Sequence, residues 1–321
     1  MIKIKATVED KKQVEKISKD IIQYLKETYF NIIADIYKQI FKKDIKYNEI
    51  EENDLFFQAV RNNKITIHNN KIKGKFNSKL TKYIREKLKG KWNNKTKSYA
   101  VDKLPYNVKQ YINKQKEKIQ LFNDKIQEFL NDYSYNINQS IEQAPVDYNN
   151  IITDIKEQIQ DNLKDFIVKP EINENIQQEI NENYINNSKL SIKNWQESNI
   201  SKLRQEMQEQ VLNGGYSNQS IAEFIQNNYG TTQKKAIFLA RNEAKLINGE
   251  YSKQQYLENG ITKYIWQTSK DERVREDHKV LDGKIFDFRE PPIIDSKTGK
   301  RGNPQEDYGC RCVANPVIDW K

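Results

Sequence analysis

Between Gly90 and Gly214 the chain runs for 123 residues without a glycine. Glycine closes helices in the left-handed conformation and opens tight turns. An interval of this length without it, with apolar residues three and four apart, is restricted to a few long helices broken at Pro145 and Pro170. Ile119, Phe122, Ile126 and Leu130 mark one helix, and Ile151, Ile155, Ile159, Leu163 and Phe166 another. Ile172, Ile176, Ile180 and Tyr184 continue the period, as do Trp195, Leu203, Met207 and Val211. The stripes are narrow and the other faces polar, the pattern of helical hairpins or a coiled-coil-like body. Composition agrees: 36% of the 321 residues are apolar and 31% charged, with mean hydropathy −0.94. That is a high ratio of surface to core, in a chain long enough for two or three domains. No internal repeat is visible.

Residues 11–43 read as a further amphipathic helix through Val14, Ile17, Ile21, Leu25, Ile32, Ile36 and Ile40. The segment 57–104 has a different texture. Lys64–His68 and Lys71–Lys73 alternate on either side of Asn69-Asn70, which predicts a hairpin. Asn77 or Ser78 caps a helix through Leu80, Tyr83, Ile84 and Leu88, stopped by Gly90. A second hairpin follows from Lys91-Trp92 to Ser98–Val101. After Gly214-Gly215, Ser220 and Glu223 have capping-box spacing for a short helix ending at Gly230, and Thr231 or Thr232 opens the next, through Ile237 to Tyr251. Ile261–Thr268 alternates as a strand. Beyond residue 270 come loops and short strands, with four of the seven prolines between Pro291 and Pro316. The fold class expected is mainly α with α+β parts. Four segments follow in order: 1–56 helical, 57–104 a basic α+β module, 105–213 the helical body, and 214–321 a C-terminal α+β domain.

Charge is distributed unevenly. From Phe57 to Gln115 there are 16 Lys/Arg and only two acids, Glu86 and Asp102, a local net of +14, whereas the rest of the chain has a net of −5. A lysine-rich vocabulary can come from base composition, but that does not remove acids from one segment alone. Local depletion of acids points to a polyanionic partner. Lys71, Lys73, Lys75, Lys79, Lys82, Arg85, Lys87, Lys89, Lys91, Lys95 and Lys97 are the candidate DNA-binding residues. Nearly all are lysines, suited to phosphates rather than to base edges, so sequence-independent contact with double-stranded DNA is expected. A basic face that docks on an acidic protein surface is the competing reading. Tyr83, Trp92 and Tyr99 either stack on bases or fill the module's core.

Only two cysteines occur, Cys310 and Cys312, and a disulfide between them would be strained. A disulfide scaffold is excluded, and a reducing, intracellular setting is expected. The first residues do not resemble a signal peptide, and no run of about 18 apolar residues predicts a membrane span. Thiolate and imidazole are preferred zinc ligands, and a structural site needs four groups. His278, Cys310 and Cys312 supply three, and Asp271 is the candidate fourth. The competing reading has buried small cysteines beside an ordinary histidine.

Trp266, Asp271, Arg273, His278, Leu281-Asp282-Gly283 and Cys310-Arg311-Cys312 together resemble the signature of the phage head morphogenesis family, minor head proteins typified by the phage Mu F protein and its SPP1 counterpart. Ala240-Arg241-Asn242-Glu243 is similar to that family's Ala-Arg-Thr-Glu helix, with Asn242 where threonine is usual. The resemblance covers about residues 215–316. Gly74-Lys75-Phe76-Asn77 resembles a second segment of certain minor head proteins. Some members carry cysteines at the positions of Arg275 and His278, but Arg275 cannot be a ligand. The resemblance implies a non-enzymatic protein of procapsid assembly and genome packaging or ejection. Its implied partners are the portal protein and the major capsid or scaffolding protein. It implies a location in the host cytoplasm during assembly and then in the virion head interior. Two rivals stand beside it. A metal-dependent nuclease would use Asp277-His278 and Asn303, although the only other histidine is His68. A general DNA-organising protein would have no use for the C-terminal motif. No G-x-S-x-G, P-loop or G-x-G-x-x-G motif occurs.

Overall fold

The computed structural model describes residues 2–41, 54–62, 64–166, 170, 173–213 and 218–318. The chain divides into two compact units that do not follow its linear order. The first comprises Met1–Tyr24, Ile141–Lys193 and Thr232–Lys321, and the second Leu25–Ser140 and Asn194–Thr231. The expected N-terminal segment 1–56 is therefore divided between the two. The described elements are mainly helical with small antiparallel sheets: β1 (Ile2–Lys3), α1 (Lys11–Leu25), a π-turn at Lys26–Phe30, α2 (Asn31–Phe41), α3 (Leu55–Arg61), β2 (Ile65–His68), β3 (Lys71–Gly74), α4 (Ser78–Glu86), β4 (Lys91–Asn93), β5 (Ser98–Ala100) and α5 (Tyr106–Glu142). There follow α6 (Asn149–Leu163), α7 (Glu174–Asn213), α8 (Asn218–Glu258), β6 (Lys263–Gln267), α9 (Glu276–Lys279), β7 (Ile285–Asp287), β8 (Ile293–Asp295), β9 (Lys300–Arg301) and β10 (Val313–Ile318). No described helix is long and apolar enough to cross a membrane.

In the first unit, β10 is central in a sheet of order β1-β10-β6-β7. Ala314 faces Trp266 and Pro316 faces Tyr264, so the alternation read in the sequence places both aromatic rings on the buried face. The α6 stripe, Ile151, Ile155, Ile159 and Leu163, is fully buried. Burial of each such side chain stabilises by about 1.5–3 kcal/mol. The pairing of Ile2 and Lys3 with Ile318 and Val317 joins residues more than 300 apart, and local periodicity gave no sign of it. Thr7 then enters a buried polar cluster, its Oγ1 2.7 Å from Asn248 Oδ1 and 2.6 Å from Ser252 Oγ. Asn248 Nδ2 donates to Gln305 Oε1 at 3.1 Å. Gly249 makes this approach possible, since a Cβ there would stand 2.9 Å from Gln305 Cβ.

In the second unit, Tyr29 and Phe30 are buried at the π-turn, and Tyr29 packs on Phe129 and Tyr133 of α5. The basic module forms as read. Asn69 and Asn70 both take left-handed φ, 46° and 57°, as a two-residue hairpin turn requires. Asn77 Oδ1 accepts from Leu80 N at 2.8 Å and caps α4. The sheet order is β2-β3-β5-β4. Gly74 has φ +139°, and a Cβ there would lie 2.3 Å from the Lys64 carbonyl oxygen.

One helix boundary differs. The two helices expected on either side of Gly230 are a single helix, α8. A glycine inside a helix costs only about 1 kcal/mol. The buried row Ala236, Leu239, Ala240, Ala244 and Ile247 outweighs it. Thr231 Oγ1 donates back to the Asn227 carbonyl at 2.9 Å instead of capping. The Gly214-Gly215 break, Ile172 and residues 42–43 lie outside the described residues, as do the side chains of Ser220, Met207 and Val211.

Candidate metal centre and basic module

The C-terminal motif is assembled by its own polar residues. Asp282 Oδ1 accepts from Thr268 N at 2.7 Å and from Thr268 Oγ1 at 3.0 Å, which fixes the chain as it leaves β6. Gly283, at φ +76°, donates its N–H to the Trp266 carbonyl at 2.8 Å. This turn sets α9 beside the strand, with the His278 ring edge-on to Trp266 at a centroid distance of 5.4 Å. The loop entering β10 brings Cys310 and Cys312 to the same imidazole. Their Sγ atoms lie 3.7 and 3.5 Å from His278 Nδ1. All three side chains are buried, and their ligand atoms lie within 4.8 Å of one another.

This donor set fits a metal ion. With Zn–S of about 2.3 Å and Zn–N of about 2.0–2.1 Å, tetrahedral ligands stand about 3.5–3.8 Å apart, which matches the two sulfur–nitrogen separations. The thiol pair is already polarised. Cys310 is held well below the ordinary thiol value, chiefly by a hydrogen bond from the Cys312 thiol and also by the His278 ring. Cys312 is pushed up by sharing its proton with Cys310 and by burial. His278 Nε2 is buried without an acceptor among the described residues, so the usual outer hydrogen bond of a ligating imidazole is missing.

Asp271, the expected fourth ligand, is placed elsewhere. Both its carboxylate oxygens accept from the Arg311 guanidinium, Oδ1 at 2.6 Å. These bonds hold Asp271 down to about 2. The arginine between the two cysteines competes for the carboxylate, and no fourth protein ligand joins the three among the described residues. Two further anchors were not visible in the sequence. Asp307 pairs with both Arg275 and Lys300, the latter at 2.8 Å, and Arg275 also donates to the Tyr308 carbonyl at 2.7 Å. Asn242, at the position where the family usually has threonine, is buried and accepts from Gly309 N at 2.7 Å, one residue before Cys310. Its place in the Ala-Arg-Thr-Glu-like helix was the only available signal.

The nuclease constellation is engaged in structural bonds. Asp277 Oδ2 accepts from Ser296 N and Oγ at 3.0 and 3.1 Å. The Asn303 amide donates to the Phe288 carbonyl and to Glu306. His68 belongs to the other unit.

In the basic module all eleven predicted cations are exposed. None of them makes an ion pair among the described residues, where the ion pairs involve other cations. Arg85 lies over the Tyr99 ring at 5.9 Å. Of the aromatic residues, Tyr83 stacks on Phe56 with centroids 5.5 Å apart and Tyr99 is buried, whereas Trp92 lies against Phe76 and Tyr99 but is exposed.

Residues 201–315 match the family described as phage Mu protein F like protein. An uncharacterized protein of Haemophilus influenzae is 34% identical over 145 residues, 45% of this chain and 31% of that protein. The chain thus spans about a third of the length of the curated relative it matches. No solved structure matches. The matched segment contains α9, the histidine–cysteine cluster and the loop that closes it. Over residues 201–315, just over a third of the chain, the protein is thus similar to phage head proteins of the Mu F type.

Proposed function

We propose that this chain is a minor head protein of a tailed phage, prophage or phage-derived particle. It acts in procapsid assembly and genome packaging or ejection, without catalysis of its own. The observation that carries the reading is the family match over a segment whose histidine and two cysteines converge in a buried cluster. In this reading His278, Cys310 and Cys312 hold a structural zinc ion. The ion cross-links α9 to the loop entering β10, in a part of the chain too rich in loops to be held by a large core. The helical body and the C-terminal α+β domain dock on the portal or on the capsid or scaffolding protein, and the basic module contacts double-stranded DNA through phosphates. The protein passes from the host cytoplasm into the head interior.

Quantitative mass spectrometry of purified procapsids and DNA-filled particles tests the assignment. A few copies per portal ring in either particle are expected, and absence from both overturns it. Metal analysis of the purified chain tests the zinc assignment. About one zinc per chain is expected, with loss of stability on chelation. A metal-free chain whose melting is unchanged by chelator overturns that part alone.

A further inference from the structure

The eleven cations of the module do not share one surface. In the register of the sheet, Ile67, Ile72, Tyr99 and Trp92 form one row across all four strands. This row faces α4: Gly90 lies against both Ile84 and Tyr99, and Arg85 of the helix covers the Tyr99 ring. Alternation sends the neighbouring row, His68, Lys71, Ala100 and Lys91, to the opposite face. Thr66 pairs with Lys73 one step along that face, and Asn93 with Ser98. His68, Lys71, Lys73, Lys91, Asn93 and Ala100 are all exposed. This face is exposed at its three lysines and its histidine, with Ser98 buried and Thr66 half-buried on it, and it has no carboxylate on any of its strands. The outward side of α4 presents Lys79 and Lys82, but it also carries Glu86.

We infer that the open face of the β2-β3-β5-β4 sheet, through Lys71, Lys73 and Lys91, is the surface that grips the phosphate backbone of duplex DNA, and that the lysines of α4 are accessory. The inference rests on the reading that the module contacts DNA. It also specifies the form of DNA. Sheet surfaces that bind single strands offer exposed aromatic rings as stacking platforms. Here every tyrosine and tryptophan of the sheet lies on the covered face, where Trp92, 38% exposed at the sheet edge, has its Nε1 bonded to Asn94; the single ring on the open face is the small imidazole of His68. The open face holds only lysine, histidine and small polar or apolar side chains. That suits point contacts to phosphates and gives neither base readout nor stacking. It also lacks the aromatic and arginine anchors that dominate protein–protein interfaces, which separates a DNA backbone from an acidic protein partner.

The test measures binding of the full-length chain to a labelled mixed-sequence duplex of about 30 base pairs by fluorescence anisotropy across a salt series. At low salt, K71E/K73E/K91E is expected to weaken binding on the order of 100-fold, and the neutral K71Q/K73Q/K91Q should lower the slope of log K against log salt by about 3. K79E/K82E/K87E should change affinity several-fold less. Circular dichroism of each variant confirms that it is folded. Equal or greater loss in the α4 variant overturns the assignment of the sheet face and leaves the DNA reading intact. No salt-dependent binding by the unaltered chain overturns both. Tighter binding to oligo(dT) than to duplex, abolished by Trp92→Ala, would overturn the backbone-only mode.

Discussion

The two ends of this protein's charge economy stand in contrast. In the C-terminal motif segment cations are held by carboxylates. Arg273 and Arg311 share Asp271, Arg275 and Lys300 share Asp307, Arg289 sits on Asp287, and Lys253 on Glu306. In the basic module the eleven cations from Lys71 to Lys97 make no such pair among the described residues. A single exposed pair contributes at most about 1 kcal/mol, but a network that ties loop to loop orders a segment whose strands are only two to six residues long. Unpaired like charges do the opposite, because they repel one another in the folded state. The difference teaches where each region finds its stabilisation. The motif segment is tied together from inside, by ion pairs and a metal-ready cluster, whereas the module's cations have no carboxylate partner among the described residues and are free to meet the proposed polyanion.

The largest expected effect breaks the first half of this contrast. With the proposed zinc in place, Cys312→Ala takes one ligand from the buried cluster and should destabilise the motif segment by more than about 4 kcal/mol, the scale of losing a metal staple. Hydrogen exchange across residues 266–318 reads this as collapse of protection, with DNA affinity of the module unchanged. Retained protection would mean the cluster holds nothing that the ion pairs do not. Next comes Asn242→Ala, which leaves the buried Gly309 N–H without its acceptor and should cost about 1–3 kcal/mol. Asn242→Thr, the usual residue of the family, should recover part of that loss, since its hydroxyl is still an acceptor. Denaturant midpoints of the two variants compare them directly, and equal losses would exclude a role for the hydrogen bond.

The site was legible where local chemistry decides and illegible where distant residues compete. Asn69-Asn70 and Asn77 act within four residues of themselves, so hairpin and cap could be read directly. The convergence of His278, Cys310 and Cys312 was legible because thiol and imidazole share one chemistry, coordination, in a loop-rich segment with little core of its own. Asp271 was read as a ligand because a carboxylate serves a metal or a guanidinium equally well. Only the position of Arg311, 40 residues away, settles which it meets. Gly230 reads as a stop in a short window, yet the burial of the row from Ala236 to Ile247 carries the helix through it. The strand Ile2–Lys3 is too short to have a period of its own, and its partner lies at the other end of the chain.

Smaller effects sharpen the contrast. Asp271 is held below its ordinary value, so its contribution to stability is fully present above the unfolded carboxylate range near pH 3.9 and is lost as pH falls through about 2. Asp271→Asn should therefore lower the melting temperature at pH 7 by less than Asn242→Ala does, and the gap from the unaltered chain should close between about pH 4 and pH 2. A gap that persists at pH 2 would show that the side chain acts by something other than its charge on Arg311.

The smallest effect has the most informative sign. K71Q/K73Q/K91Q removes three exposed cations with no carboxylate partner, and surface changes of this kind stay within about 0.5 kcal/mol. If the lysines of the open sheet face stabilised the module, their loss would lower its melting temperature at every salt concentration. If instead they repel one another across neighbouring strands, neutralising them should raise it slightly at low salt, where the Debye length is about 30 Å. The gain should vanish near 1 M salt, where that length is about 3 Å. A small gain that salt erases, in the same variant that loses DNA, would establish that these charges are carried at a cost to the fold and kept for a partner. A salt-independent loss would place them among the module's own stabilising contacts and remove the contrast with the motif segment.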